Sequence, residues 1–350
     1  MSAHPAHSHP LANLPRMTQS NQPLGQIAAA RAASGSDPAF NDFLRETTHV
    51  MRSERTIAGA LKSCFHAHVI RRDALGIAFG TGSVLADLQG QMVAVPDQVA
   101  LTEDVFSTGK QERGFLGASR VWLQGHHRGP GPFGAPTGRA LRYRELSETY
   151  AKNNRISDIW SVRDHGAVCA QLGLEPERLA ADLWQRADLE TMPFRPEVDQ
   201  QGPYTGEGNG SQWGLAFAEL LTRILDGELQ TITDQYDAAC GLSFPGGVEQ
   251  FGHDAATQFW MGLRAAFPSA EFRVHHTMGC EEPLMPARAA VRWSLSGRHE
   301  GWGIFGPPTG APVHIMGMSH AEFGPQGLRR EWTLYDSLAI WMQIVAHRGV

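Results

Sequence analysis

Two aspartates stand four residues after a tryptophan, Asp164 after Trp160 and Asp336 after Trp332. A strand-like run leads into each carboxylate. Positions i, i+2 and i+4 of a strand share a face, so Trp160, Val162 and Asp164 point together, as do Trp332, Leu334 and Asp336. If that face lines a cavity, each carboxylate is partly desolvated beside an aromatic wall. Desolvation raises a carboxyl pKa and suits the group to exchange protons near neutrality without a metal or nucleotide. The same position also suits a structural role, because Asp at a strand-to-helix boundary is among the best N-caps. Both readings stand at this point.

Histidines add to the candidates. His127 and His299 lie in glycine-rich loops, where a neutral imidazole could orient a carbonyl, shuttle a proton, or bond the backbone of a tight turn. His320 is in phase with His314, Met316 and Met318, and its counterpart Glu148 is in phase with Arg142, Arg144 and Leu146. If that is a cavity face, the two pockets differ sharply in polarity; a surface position for His320 is equally open. The adjacent pairs His126-His127 and His275-His276 would point to opposite faces of a strand and do not chelate one metal easily, so no metal site is expected. Gly129-x-Gly131-x2-Gly134 opens no helix and follows no βαβ pattern, there is no GxSxG elbow, and no cofactor is expected.

These residues belong to a repeat. Residues 120–172 recur at a constant offset of 172, with 16 of 53 positions identical, where unrelated segments would share roughly 3 or 4. The core is Gly125-x-His127-x-Gly129-x-Gly131-x-Phe133-Gly134-x-Pro136-Thr137-Gly138, repeated from Gly297 through His299 to Gly310. The chain therefore reads as a tandem duplication of modules of about 140 residues. We expect a tail over 1–36, a first domain over 37–186, a linker over 187–208 rich in Pro and acidic residues, and a second domain over 209–350.

Composition bounds the class. With 42% hydrophobic and 19% charged residues, the 350-residue chain reads as globular, and each half can bury its own core. A net charge of -6 and three lysines (Lys62, Lys110, Lys152) leave no basic footprint for nucleic acid. No apolar run approaches the roughly 18 residues of a membrane span. The tail has no apolar signal core, and its His4, His7 and His9 read as part of a solvated low-complexity segment. Cys64, Cys169, Cys240 and Cys280 show no CxxC spacing and read as free thiols, which points to the cytoplasm.

The elements that must position the candidates follow from local pattern. Asp37-Pro38 opens a helix, Ser211 opens a second one carrying Trp213, Phe217, Leu220, Leu221 and Ile224, and Asp226-Gly227 stops it. Strands are expected at 272–278, 289–296, 312–320 and 328–335, with the glycine motif turning a long hairpin between the second and third. Short helices should follow Asp164 and Asp336. Each module is then α+β: helices, a curved antiparallel sheet, a closing helix.

The order Phe267-Pro268, Val291-Arg292-Trp293, Gly297 to Gly310, Glu331-Trp332-x3-Asp336 and Gln343 resembles the SnoaL-like polyketide cyclase and ester cyclase family. The first module repeats it more loosely with Gly138, Trp160, Asp164 and Gln171-Leu172-Gly173. The resemblance implies two nuclear-transport-factor-2-like cones, each with one internal pocket. It also implies an aspartate at the end of the last strand as general acid/base for intramolecular aldol closure, assisted by a histidine on the neighbouring strand. The expected activity is a cofactor-independent cyclase or lyase on a small to medium, partly apolar carbonyl compound. Asp336, Asp164, His299, His127 and His320 would do the chemistry, and Trp332, Trp160, Leu334, Val162, Met316, Met318 and Glu148 would line the pockets. A non-catalytic binding protein and a hydrolase or dehydratase are the alternatives, since the fold hosts all of them. Because members of this fold often pair through their sheets, the fused halves are expected to form an intramolecular pseudo-dimer, with further oligomerisation open.

Overall fold

The computed structural model describes residues 36–53, 57–186 and 193–349. The expected tail up to residue 35, with His4, His7 and His9, lies outside the described residues. The first half runs α1 (Pro38–Ser53), α2 (Ile57–Cys64), β1 (Phe65–Asp73), β2 (Gly76–Phe79), α3 (Gly80–Ala94), β3 (Val99–Lys110), β4 (Gly114–His126), β5 (Ala140–Lys152), β6 (Arg155–Arg163), α4 (His165–Leu172) and α5 (Pro176–Arg186). The second runs α6 (Gln212–Leu225), α7 (Gln230–Gln235), β7 (Tyr236–Phe244), β8 (Val248–Phe251), α8 (Gly252–Ala266), β9 (Glu271–Cys280), β10 (Ala287–Arg298), β11 (Pro312–Gly324), β12 (Gly327–Tyr335) and α9 (Ser337–Arg348).

Both halves are α+β cones of one topology, with sheet orders β2-β1-β6-β5-β4-β3 and β8-β7-β12-β11-β10-β9. The expected capping is present: the Asp37 carboxylate accepts from the Phe40 amide at 2.9 Å, and the Ser211 hydroxyl from the Trp213 amide at 3.4 Å. The sequence reading did not place β1, β2 and α3, or their equivalents β7, β8 and α8. Strands β1 and β7 join the sheets in parallel, against β6 and β12. Arg72 pairs with Trp160 and Ser243 with Trp332, so this strand keeps an offset of 171, and the second copy carries one extra residue in the turn that follows.

The two sheets pack face to face. Leu116, Leu146, Trp160 and Val162 from one half and Met278, Met316, Met318 and Leu334 from the other form a single buried cluster. The repeat equivalence is written into this seam. The Arg120 guanidinium stacks on Trp332 at 3.5 Å from the ring centre, and its counterpart Arg292 stacks on Trp160 at 4.4 Å. Each such cation–π contact is worth about 0.5–2 kcal/mol when desolvated. A second contact joins α4 and α5 to α9 through Cys169, Leu179, Ala180, Leu338, Met342 and Val345.

The described part of the expected linker, 193–208, is packed rather than free. Phe194 enters the seam cluster, Asp199 pairs with the buried Arg72 at 2.5 Å, and the Tyr204 hydroxyl meets His276 Nε2 at 2.6 Å.

Candidate functional site

Strand parity decides which residues can meet a ligand. Trp160, Val162, Leu334, Met316 and Met318 all point into the seam between the sheets, not into either cone, and Trp332 lies there under Arg120 of the first half. The physical reason is that both faces of each sheet are buried, so an apolar stripe does not by itself mark the cavity side. Glu148 is at the seam too: its carboxylate, 1% exposed, meets His276 Nδ1 at 3.0 Å and accepts from Arg292 Nε at 2.7 Å. Burial pushes its pKa up, but His276 and Arg292 outweigh that and hold it at about 2. His320 faces Phe106 across the same seam; burial, with Arg120 and Arg288 near, pushes its pKa down to about 3.

His127 and His299 are the hubs of the two β-hairpin loops. The His127 Nδ1 meets Thr137 Oγ1 at 3.2 Å and its carbonyl accepts from the Thr137 and Gly138 amides; His299 does the same with Thr309 and Gly310, at 3.1 Å for the side-chain contact. Both are fully buried, and burial lowers both pKa values. Their geometry is that of loop closure.

Asp164 and Asp336 cap α4 and α9, and both reach across to the other half. Asp164 accepts from Ala167 N of its own helix at 2.9 Å and from Gly246 N and Gly247 N of the β7–β8 turn at 2.8 and 2.9 Å. Burial pushes its pKa above the usual range despite these three N–H groups. Asp336 accepts from Leu338 N at 3.0 Å through Oδ1, while Oδ2 meets His165 Nδ1 of the first half at 2.6 Å. The two helix N-termini approach so closely that a Cβ on Gly166 would stand 2.5 Å from Ser337 Oγ.

His165 leads to the cavity. The first cone encloses about 360 Å³ lined by Arg71, Asp73, Asp87, Gln91, Gln98, Tyr143, Arg163 and His165, with Leu75, Ile77, Phe133, Leu141 and Val168 supplying apolar wall. The charges are bonded to one another: Arg163 donates to Glu145 at 2.6 Å and to Asp87 at 3.3 Å, Arg71 pairs with Asp87 and with Asp73, and Arg52 holds Glu145 at 2.7 Å. Burial alone would raise the carboxyl pKa values of Asp87 and Glu145; the surrounding guanidinium groups overcome it and hold both low. Tyr143 donates to Gln98 Oε1 at 3.2 Å, and burial keeps its phenol neutral. His165 differs from all of these. Burial lowers its pKa, but the Asp336 carboxylate outweighs burial and raises it, and among the described residues Nε2 has no protein partner. With Nδ1 turned to Asp336, the neutral tautomer carries its lone pair on Nε2.

The second cone is filled. Phe244 and Phe259 stack at 3.7 Å where the first cone has Asp73 and Asp87, Phe259 lies over Tyr335 where the first has Arg163, and Trp293 occupies the room of the Glu145 side chain. A Cβ on Gly317, the equivalent of Glu145, would be 2.2 Å from the Trp293 ring. Glu331 lies sealed in this core, bonded by Tyr236 and Thr333, and burial pushes its pKa to about 7. The open groove of about 580 Å³ at this cone's mouth is walled by Phe244, Phe259, Phe305, Tyr335 and Trp341, with Glu175 and Pro176 of the first half on its other side.

The sequence model of the SnoaL-like domain matches residues 217–332. Residues 217–332 are a SnoaL-like domain. The same topology in the first half makes it a second cone of that fold. No curated protein matches the chain. Similar solved structures include wild-type IdmH from Streptomyces antibioticus, at 22% identity over 38% of this chain and 97% of that one, with a TM-score of 0.33. TsrD from Streptomyces laurentii is similar at 18% identity over 40% of this chain and 98% of that one, with a TM-score of 0.35. The SnoaL-like match thus falls on the half whose cone is filled, while the open cavity lies in the half that the sequence reading treated as the looser copy. Sequence reasoning missed Arg71, Asp73, Asp87, Gln91, Gln98, Tyr143, Arg163 and His165. One signal was available: at Asp87, Glu145, Arg163 and His165 the first copy carries a carboxylate, guanidinium or imidazole where the second has Phe259, Gly317, Tyr335 and Ser337.

Proposed function

We propose that the first cone binds a small to medium, partly apolar carbonyl compound and exchanges a proton with it by cofactor-independent acid/base chemistry of the cyclase or lyase type. The observation that carries this reading is the cavity of about 360 Å³ whose wall includes His165, backed at 2.6 Å by Asp336. In this reading His165 Nε2 takes a proton from the carbon next to the carbonyl, and the imidazolium that forms is stabilised by the Asp336 carboxylate across the seam. In this reading the Tyr143 hydroxyl turns from Gln98 Oε1 to donate to the carbonyl oxygen, and the proton returns from Nε2 to carbon or oxygen once the new bond is set. Asp336 is then a positioning residue, Asp164 a latch, and the second module a fused partner that completes the site. The two domains, 37–186 and 209–350, work as an intramolecular pair.

A non-catalytic binding role is the second reading, favoured by the mutual pairing of the cavity's guanidinium and carboxylate groups. Acetophenone and 2-tetralone separate the two. Saturation-transfer NMR reads binding, and deuterium uptake at the α-carbon in D2O reads proton exchange. The expected result is binding with exchange accelerated about 10²–10⁴-fold by the protein, exchange lost in His165→Ala with binding kept, and both lost in Val168→Phe, which fills the cavity. Binding without exchange selects the second reading, and binding unaffected by Val168→Phe rejects the pocket.

A further inference from the structure

Beside the main cavity lies a smaller chamber of about 80 Å³ that adjoins it at Arg71, which lines both. Its floor is one rung of the sheet. Ser119 pairs with Ser147, and Ser147 with Ser161, across β4, β5 and β6, so three hydroxyls stand side by side. Leu44, Met51, Val84 and Leu88 close the opposite side. Ser119 and Ser147 bond each other at 2.8 Å, while the Ser161 hydroxyl, in a residue 2% exposed, has no partner among the described residues. A buried hydroxyl without a partner costs free energy, so the site is complete only when something supplies the missing bond.

The second module shows the same rung in a finished state. Its equivalents are Val291, Ser319 and Thr333. Ser319 accepts from Trp293 Nε1 at 3.0 Å and bonds Thr333 at 2.7 Å, and Thr333 donates to Glu331 at 2.5 Å. There the space is taken by protein side chains; in the first module it is open and one hydroxyl is unused.

We infer that this inner chamber is a subsite for a small, neutral, oxygen-bearing group, a ketone or hydroxyl tip of the ligand held in the outer cavity, with its oxygen on Ser161. The inference rests on the reading of the first cone as the binding pocket. Size limits the occupant to the space of roughly two or three waters at ~30 Å³ each. Charge limits it as well. Arg52 and Glu145 already satisfy each other at 2.7 Å and Arg71 is paired with Asp73 at 3.1 Å, so a charged group would find no counterion.

Acetone and 2-propanol are the probes, with acetate as the charged control, soaked into crystals of the full chain and titrated by protein-observed NMR. The expected result is acetone or 2-propanol in the inner chamber with its oxygen within hydrogen-bond distance of Ser161 Oγ, and acetate excluded. Ser161→Ala removes no existing bond, so the variant should fold normally and weaken probe binding by about two- to tenfold. Ordered water alone at saturating probe, or probe binding unchanged in Ser161→Ala, overturns the subsite. Acetophenone in the outer cavity with water in the inner one would remove the subsite and leave the pocket standing. Acetone in the inner chamber with no ketone ever entering the outer cavity would instead remove the pocket reading.

Discussion

Replacing Asp336 by Asn separates its two jobs, because Asn is nearly as good an N-cap but carries no charge. The α9 cap made by Oδ1 to Leu338 N at 3.0 Å should survive, while the 2.6 Å contact from Oδ2 to His165 Nδ1 becomes a neutral hydrogen bond. A hydrogen bond to a charged partner is worth about 1.5–3 kcal/mol and a neutral one about 0.5–1.5, so the variant should lose about 1–2 kcal/mol while His165 is protonated. The sign with pH follows from the direction of the shift. Asp336 raises the pKa of His165 in the folded protein, so the stabilisation is fully present below the unfolded histidine value and is lost as pH rises through the folded one. Urea unfolding of both proteins at about pH 5.5 and about pH 9 should therefore show a stability gap of about 1–2 kcal/mol at the lower pH that narrows at the higher. The ¹⁵N resonances of His165 supply an independent reading: its titration midpoint should fall in the variant, since burial and Arg163 then act without the opposing carboxylate. An equal loss of stability at both pH values, with the His165 midpoint unmoved, would refute the dyad and leave Asp336 a cap alone.

Asp164→Asn should behave differently from its repeat partner, since both its oxygens accept backbone N–H groups and an amide can satisfy only one side. A loss of about 1.5–3 kcal/mol with faster amide exchange at Gly246 and Gly247 is expected, and protection unchanged at those two amides would count against the latch. Phe244→Ala, in the filled cone, should destabilise by about 3–5 kcal/mol in thermal or urea unfolding and leave ketone binding to the first cone unaltered. Ketone binding lost in that variant at a temperature where it remains folded would show that the second cone takes part.

Much of the scaffold was legible because its signals are local. The caps at Asp37 and Ser211, the glycine hairpin loops and strands β9 to β12 each follow from a few adjacent residues. The missed elements lacked such signals. Helix α3 holds Gly80, Gly82 and Gly90, each poor for helix formation, and β1 and β7 show no clean alternation because they pair in parallel beside the last strand of each sheet. The candidate face and the cavity lie on opposite sides of the same strand. Trp160 and Val162 form the apolar stripe with Ser161 and Arg163 on the opposite face, a pattern that puts Trp160 inward in a sheet with one wet face. Here the stripe meets the other module, and the polar residues between are the ones that face the cavity.

The duplication explains why the repeated residues point away from the proposed site. Identities kept at an offset of 172 sit where both modules need the same architecture. Gln171 bonds both backbone groups of Arg142, and Gln343 those of His314; His127 and His299 close the same loop; Arg120 and Arg292 stack on each other's tryptophans. Asp164 and Asp336 cap the same helix, yet even there the partners across the seam differ, two backbone amides for one and an imidazole for the other. A fused pair is free to specialise in a way that two identical subunits are not, because each half answers to its own sequence. One cone could exchange its polar lining for Phe244, Phe259, Trp293 and Tyr335 and become a rigid support, provided it still presented Asp336 to the other. On this argument the residues that do chemistry in such a chain are to be sought where the copies disagree in acid/base character, next to a residue on which they agree: His165 against Ser337, one position beyond the shared aspartate.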